Sequence, residues 1–364
     1  MTISEPIYIT KPTLGSLEKY QELLSQLWTS RQLTNSGPLS MKLEREISKI
    51  LGVPFPLLVS NGTIALHVAI RALELQHCEV ITTPFTWVSS ASSILWEQCT
   101  PVFVDIDPET FNIDPNKIED AITDQTKAIL AVHVFSNPCD VEAIEQIATK
   151  HNLKVIYDAA HAFGVNFNGK SIFEYGDIST ASFHATKVFN TAEGGAVFSS
   201  TEELKEMVHS VRDFGFNRDR DIVRLGTNGK MSELNAALGL VNLPLLKDSI
   251  RLRRERSERY QTILGAHVTY QQCDSEAYNY AYMPVVFDNE NTLLKVVDRL
   301  NTIKVFPRRY FHPSLSDMNK VFDKPHTPLA DALSQRILCL PLYPDLAMEH
   351  VDIIANEVLG CLDQ

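Results

Sequence analysis

The chain has 364 residues, 44% of them apolar and 21% charged, an ordinary balance for a globular protein able to bury a large core. A formal net charge of −12 argues against nucleic acid as the main partner, because phosphate backbones are gripped by a surplus of Lys and Arg. The six cysteines form no C-x-x-C pair, the N-terminus lacks a basic-then-apolar leader and no apolar run reaches membrane-spanning length. A soluble cytoplasmic protein is therefore expected, with no disulfide framework, metal site or membrane contact.

In chain order, Leu14 to Trp28 carries apolar residues at helical spacing and predicts an amphipathic helix. From residue 55 to about Ser200, β-rich runs alternate with helical ones. PLLVS precedes TIALHVAIRALEL, VITTPF precedes SSASSILWEQ, and PVFVDID follows. AILAVHVF precedes VEAIEQIATKHN, KVIYDAA comes next, and ISTASFHA and GAVFSS close the region. Unbroken apolar strands alternating with helices predict an α/β fold, a mostly parallel central sheet flanked by helices. A long helical pattern from Ser232 to Leu264 links to a remainder (AYMPVVFD, TLLKVVDRLNT, RRYFHPSLS and a terminal helix after LPLYPD) that fits a smaller C-terminal α+β domain. The expected division is 1–245 for the large domain and 246–364 for the small one.

Two motifs are read against their letters. Gly164 to Ser171 spells G-x-x-x-x-G-K-S, but a phosphate loop must leave a strand and open a helix. Here Asn168-Gly169 reads as a hairpin turn. Asp105-Ile-Asp107 resembles an acidic metal pair, yet carboxylates before Pro108 are ordinary turn residues. No two glycines are spaced G-x-G, so the dinucleotide fingerprint is absent.

Four separated features converge on one chemistry. Ser60-Asn61-Gly62-Thr63, where an apolar run meets a helical one, offers small residues and free N–H groups to a phosphate; a plain helix N-cap is the competing reading. Asp158 ends an apolar strand at the carboxyl edge of the sheet, where a buried carboxylate needs a positive partner or capping work. A protonated pyridine nitrogen would be such a partner and would keep its ring electron-poor, which is how pyridoxal 5'-phosphate works. Lys187, in Ser182-Phe-His-Ala-Thr-Lys187 just beyond a strand and before Glu193-Gly194-Gly195, sits where an amine can be partly desolvated and kept near neutral for Schiff-base formation; a solvated surface charge is the alternative. Phe85-Thr86-Trp87 after EVITTP places an aromatic where it can stack on a planar ring or anchor the core.

Taken together, LTNSGP, SNGTIALHVAI, TPFTWVSSASSI, PVFVDIDPETFNID, YDAAHAFG, SFHATKVFNTAEGGA, GTNGKMSELNAALG, RRYFHP and LPLYPD resemble, in order, the blocks of the DegT/StrS-type nucleotide-sugar aminotransferases, of fold type I among pyridoxal-phosphate enzymes. The resemblance implies Lys187 as the Schiff-base lysine, Asp158 as partner of the ring nitrogen and His161 as partner of the ring hydroxyl. It further implies Trp87 as the stacking aromatic and Gly62, Thr63 and Ser182 as a phosphate cradle. Asn228 would be contributed to that phosphate by a second subunit, hence a homodimer with shared active sites. Where many members have Tyr-Gly, this chain has Phe135-Ser136-Asn137, a departure on the expected substrate side.

The reaction implied moves an amino group from L-glutamate, through pyridoxamine phosphate, to a nucleotide-linked 4-keto-6-deoxyhexose. The likeness is closest to enzymes aminating dTDP-4-keto-6-deoxyglucose for O-antigen or another surface polysaccharide. C3 amination, or a GDP- or UDP-linked sugar, is the near alternative, and a non-catalytic regulatory protein of the same fold is the alternative from another class. Arg308, Arg309 and Lys230, with Tyr310, are read as contacts for the anionic substrate, against ordinary surface charge.

Overall fold

The structure is a computed structural model that describes residues 3–54, 56–318, 321–322 and 326–362. Its centre is a seven-stranded sheet of β1 (Pro56–Val59), β2 (Glu79–Thr82), β3 (Thr100–Phe103), β4 (Thr126–Val132), β5 (Lys154–Asp158), β6 (Ile178–Ser182) and β7 (Gly195–Ser199). The spatial order is β1-β7-β6-β5-β4-β2-β3. Strands β2 to β6 pair in parallel, and β7 runs antiparallel between β6 and β1. Alternation along the strands explains their unbroken apolar character. Ala128, Leu130, Val132 and Ile156 enter one apolar cluster, while Ile129, Ala131, Val155 and Tyr157 enter another on the opposite face.

The covering helices begin with α1 (Leu17–Ser30), α2 (Pro38–Leu51), α3 (Gly62–Ala72), α4 (Val88–Trp96), α5 (Val141–His151) and α6 (Glu202–Arg212). Helix α1 starts three residues later than its apolar spacing predicts, because Ser16 caps it by accepting the Lys19 N–H at 3.2 Å. The long pattern from Ser232 is two helices, α7 (Glu233–Asn242) and α8 (Leu246–Leu264), joined by a 3-10 turn around Pro244. Proline has no N–H for the helical ladder, so the chain re-aims there.

Beyond α8 come β8 (Met283–Val286), α9 (Glu290–Thr302), α10 (Pro328–Arg336), β9 (Ile337–Leu340) and α11 (Met348–Leu362), with β8 and β9 antiparallel. A separate apolar cluster joins Tyr260 and Leu264 of α8, Val285, Leu293, Val296, Leu300, Leu338, Val351 and Ile354. Ile3 and Ile7 of the N-terminal segment also enter it, and Ile7-Tyr8 pairs in parallel with Val305-Phe306.

Both rejected motifs have other work. Asn166-Phe167 and Lys170-Ser171 form a hairpin, with Asn168 (φ 48°) and Gly169 (φ 77°) in the left-handed region that its turn requires. Asp105 accepts the N–H groups of Leu329 and Ala330 at 3.0 and 2.9 Å, capping α10, and Asp107 accepts those of Glu109 and Thr110. The same economy appears at α2, whose N-cap Gly37 has no side chain to offer. The buried Glu233 carboxylate fills that role by accepting the N–H groups of Leu39 (2.7 Å) and Ser40 (3.0 Å), and a Cβ at Gly37 would lie 2.6 Å from it.

Glu233→Ala should therefore cost about 2 kcal/mol of stability by orphaning two buried donors, and Glu233→Gln roughly half of that by keeping one acceptor. Urea unfolding of the two variants against the parent measures this.

Candidate active site

Parallel topology puts the ends of β1, β2, β4, β5 and β6, and the start of β7, along one edge of the sheet. A cleft of about 610 Å³ opens there. It is lined by Gly62 and Thr63 from the first turn of α3, Trp87 before α4, Asp158 at the end of β5, and His161, Ser182 and Lys187 from the segments that follow β5 and β6. Close packing brings these segments together: a Cβ on Gly195 would lie 2.7 Å from the Ala181 carbonyl oxygen and 2.8 Å from the Asn61 carbonyl carbon, so only glycine lets β7 start there. Asn61 caps α3 by accepting the Ile64 N–H at 2.8 Å, and the N–H groups of Gly62 and Thr63 have no carbonyl one turn back to bond.

Asp158 is buried, and each of its oxygens takes one hydrogen bond: Oδ2 from the Ser90 hydroxyl at 2.8 Å, Oδ1 from the Ala160 N–H at 3.1 Å. Burial raises its pKa, while those two bonds and the Lys187 charge act against the rise. The Lys187 amine makes no hydrogen bond or ion pair among the described residues, and burial brings it down to about 8 against the pull of Asp158. At pH 7 such an amine is neutral roughly two hundred times more often than an ordinary lysine. The His161 ring is near-parallel to those of Phe135 and Phe311, at centroid distances of 6.3 and 6.1 Å, with Tyr282 edge-on at 4.9 Å. Burial, and then Lys187, hold its pKa well below the usual histidine value, and its Nδ1 is buried without a hydrogen-bond partner among the described residues.

Trp87 is half exposed and meets Tyr310 edge-on at 6.2 Å. Arg308 lies over the Tyr310 ring at 5.0 Å, lines the cleft and makes no ion pair among the described residues. Two other expected substrate cations are placed elsewhere. Lys230 is ion-paired with Asp213 at 2.5 Å and sits over Phe214, away from the cleft lining. Arg309 pairs with Glu290 at 2.5 Å and lines a smaller neighbouring cavity with His312. In each case a carboxylate distant in sequence captures the cation. Asn228 is exposed, bridges to Asp213, and lies outside the cleft of its own chain. Phe85 is core, packed edge-on against Phe111, Phe135 and Phe311.

Phe135 does not line the cleft. It is buried behind His161, stacked on Phe311 at 5.6 Å. Ser136 adopts φ 79°, a left-handed conformation that suits glycine better. Sequence reasoning missed Ser90, Tyr282 and Phe311. The first carries a signal in hindsight, since Thr86 and Ser90 are small polar residues four apart at the start of a helix whose apolar side is buried. The aromatic pair comes from the far end of the chain and has none.

A buried His161 nitrogen unpartnered among the described residues, a buried carboxylate, a lysine of lowered pKa and the free first-turn N–H groups of α3 suit a flat, anionic pyridine cofactor. Comparison with known proteins agrees. The sequence model of the DegT/DnrJ/EryC1/StrS aminotransferase family matches residues 16–359. A dTDP-4-amino-4,6-dideoxy-D-glucose transaminase of Shigella dysenteriae is 40% identical over 365 residues, covering 98% of this chain and 99% of its own. The crystal structure of DesI in the presence of its TDP-sugar product superposes with a TM-score of 0.94 at 30% identity, over 100% of this chain and 94% of that one. NtdA of Bacillus subtilis with bound cofactor PMP gives a TM-score of 0.87 at 28% identity, over 96% and 82%. Fold and site together define a pyridoxal-phosphate-dependent aminotransferase of fold type I. More narrowly, the chain belongs to the DegT/DnrJ/EryC1/StrS aminotransferase family.

Two outcomes follow. Asp158→Asn should move the Lys187 titration below its value near 8, because it removes the negative charge that favours the protonated amine; the pH dependence of lysine labelling in the cofactor-free protein, read by mass spectrometry, checks this. Ser136→Gly should raise stability by about 1 kcal/mol by relieving the left-handed backbone, measured by urea unfolding.

Proposed function

We propose that this enzyme transfers an amino group from L-glutamate to C4 of dTDP-4-keto-6-deoxy-D-glucose, giving a dTDP-linked 4-amino sugar. The full-length 40% identity to a transaminase of that sugar supports the substrate. The observation that carries the chemistry is the lowered-pKa amine of Lys187, unpartnered among the described residues and lining the same cleft as the buried Asp158.

When bound, pyridoxal phosphate supplies an electron-withdrawing ring that accepts and returns the amino group. Asp158 would hold a proton on the ring nitrogen, the buried His161 Nδ1 would be the partner of the ring hydroxyl, and Trp87 would be the stacking aromatic. The first-turn N–H groups of Gly62 and Thr63 and the Ser182 hydroxyl would hold the phosphate. Lys187 Nζ would be the attachment point and then the base and acid that moves the proton at the substrate carbon, a task suited to a group titrating near 8. Arg308, with Tyr310 beneath it and no ion pair among the described residues, would serve the anionic ends of both substrates.

The working form we propose is a homodimer in which the exposed Asn228 reaches the partner's phosphate cradle. Its division at residue 245 separates a cofactor-binding part from a smaller C-terminal part. We place it in the cytoplasm, in the supply of amino sugars for O-antigen or another surface polysaccharide. Among the described residues no helix is long and apolar enough to cross a membrane.

The purified protein should be yellow, bleach on addition of glutamate, and carry the cofactor on Lys187 after borohydride reduction. Lys187→Ala should lose at least about a thousandfold in turnover. Presented with glutamate and a panel of dTDP-, UDP- and GDP-linked keto-sugars, it should aminate the dTDP-4-keto sugar fastest, with the amine at C4 by NMR. A product aminated at C3, or faster turnover of a GDP sugar, would replace the substrate assignment, and a colourless protein that stays so with added cofactor would remove the enzyme reading.

A further inference from the structure

Ser90 and Thr86 are serine and threonine in unusual employment. Hydroxyls near a helix start ordinarily cap it or bond a carbonyl one turn back. Helix α4 has no side-chain cap, and the N-cap position is held by Trp87. Instead Thr86 Oγ1 meets Ser90 Oγ at 2.9 Å, and Ser90 Oγ meets Asp158 Oδ2 at 2.8 Å, all three groups buried. The direction of the chain is fixed by its end. An ionised carboxylate only accepts, so Ser90 must spend its single proton on Asp158, and Thr86 must then donate to Ser90. No cation is hydrogen-bonded to Asp158 among the described residues, so Ser90 and the Ala160 N–H are its only hydrogen-bond donors there. Thr86 lines the cleft and Ser90 does not, which puts the serine behind the carboxylate, out of reach of whatever the cleft holds.

We propose that Thr86 and Ser90 form a hydroxyl relay that keeps Asp158 ionised and turned so that its free lone pairs face the ring nitrogen of the cofactor, which makes both of them positioning residues of this aminotransferase. The inference rests on the reading of Asp158 as the partner of that nitrogen. Two consequences separate it from a merely structural role. Loss of the relay weakens only the interaction that passes through Asp158, so it acts on ligands that possess the ring nitrogen and spares those that lack it. Moreover, Ser90→Thr retains the hydroxyl and so the effect, whereas Ser90→Ala and Ser90→Cys lose it.

The test is a binding measurement on cofactor-free protein titrated with pyridoxal phosphate and with its 1-deaza analogue, in which carbon replaces the ring nitrogen. Ser90→Ala should weaken pyridoxal phosphate about tenfold and Thr86→Val about threefold, the scale of one charge-assisted hydrogen bond and of its support. Binding of the deaza analogue should change less than about twofold in both, and Ser90→Thr should bind the two ligands as the parent does. Urea unfolding of each variant confirms that the binding data come from folded protein. Equal weakening of both ligands by Ser90→Ala, or no weakening of either, would overturn the relay. Asp158→Asn is the reference: if it discriminates between the ligands and Ser90→Ala does not, the relay alone fails. If Asp158→Asn does not discriminate either, the assignment of Asp158 falls and takes the relay with it.

Discussion

A carboxylate buried at the end of a parallel strand is the constraint around which this molecule is arranged. Asp158 sits in the interior with one neutral donor on each oxygen and, among the described residues, no guanidinium or ammonium bonded to it. Such a group is costly unless something positive completes it, and the nearest candidate from the chain itself, Lys187, is held partly discharged by the same burial. The cleft thus holds a negative group in want of a positive partner and an amine of lowered pKa, each shifted by burial. A cofactor with a protonatable ring nitrogen and a reactive carbonyl satisfies both at once.

The surroundings sort the charges that remain. The protein is acidic overall, yet the cleft keeps one arginine, Arg308, free of any ion pair among the described residues, while Lys230 and Arg309 are consumed by Asp213 and Glu290. Carboxylates also serve as backbone caps far from the cleft. Asp105 holds the start of α10 and Glu233 the start of α2, so the acidic surplus is partly a means of fastening helices whose own N-cap residues make no side-chain cap. Behind His161, Phe135 and Phe311 stack into an apolar wall that keeps its imidazole neutral. The departure at Phe135-Ser136-Asn137 belongs to that wall, where Ser136 takes a backbone conformation that glycine would take without strain.

What the sequence by itself determined is whatever depends on neighbours along the chain. The alternation of apolar strands with helices foretold the parallel sheet, because strands buried on both faces cannot carry a polar side. The turn at Asn168-Gly169 was legible because its two positive-φ residues are written side by side. Lys187, Asp158, His161 and Ser182 could be set at one edge because each closely follows, or ends, a strand of known direction. Tertiary structure alone decided which charges are free and which are spent, since the partners of Lys230, Arg309 and Glu233 lie 17, 19 and 193 or more residues away. It alone joined Ser90 to Asp158 across 68 residues, and Ile3 and Ile7 to the C-terminal core. Electrostatic and packing energies depend on distance in space, and a linear sequence records only the distance along the chain.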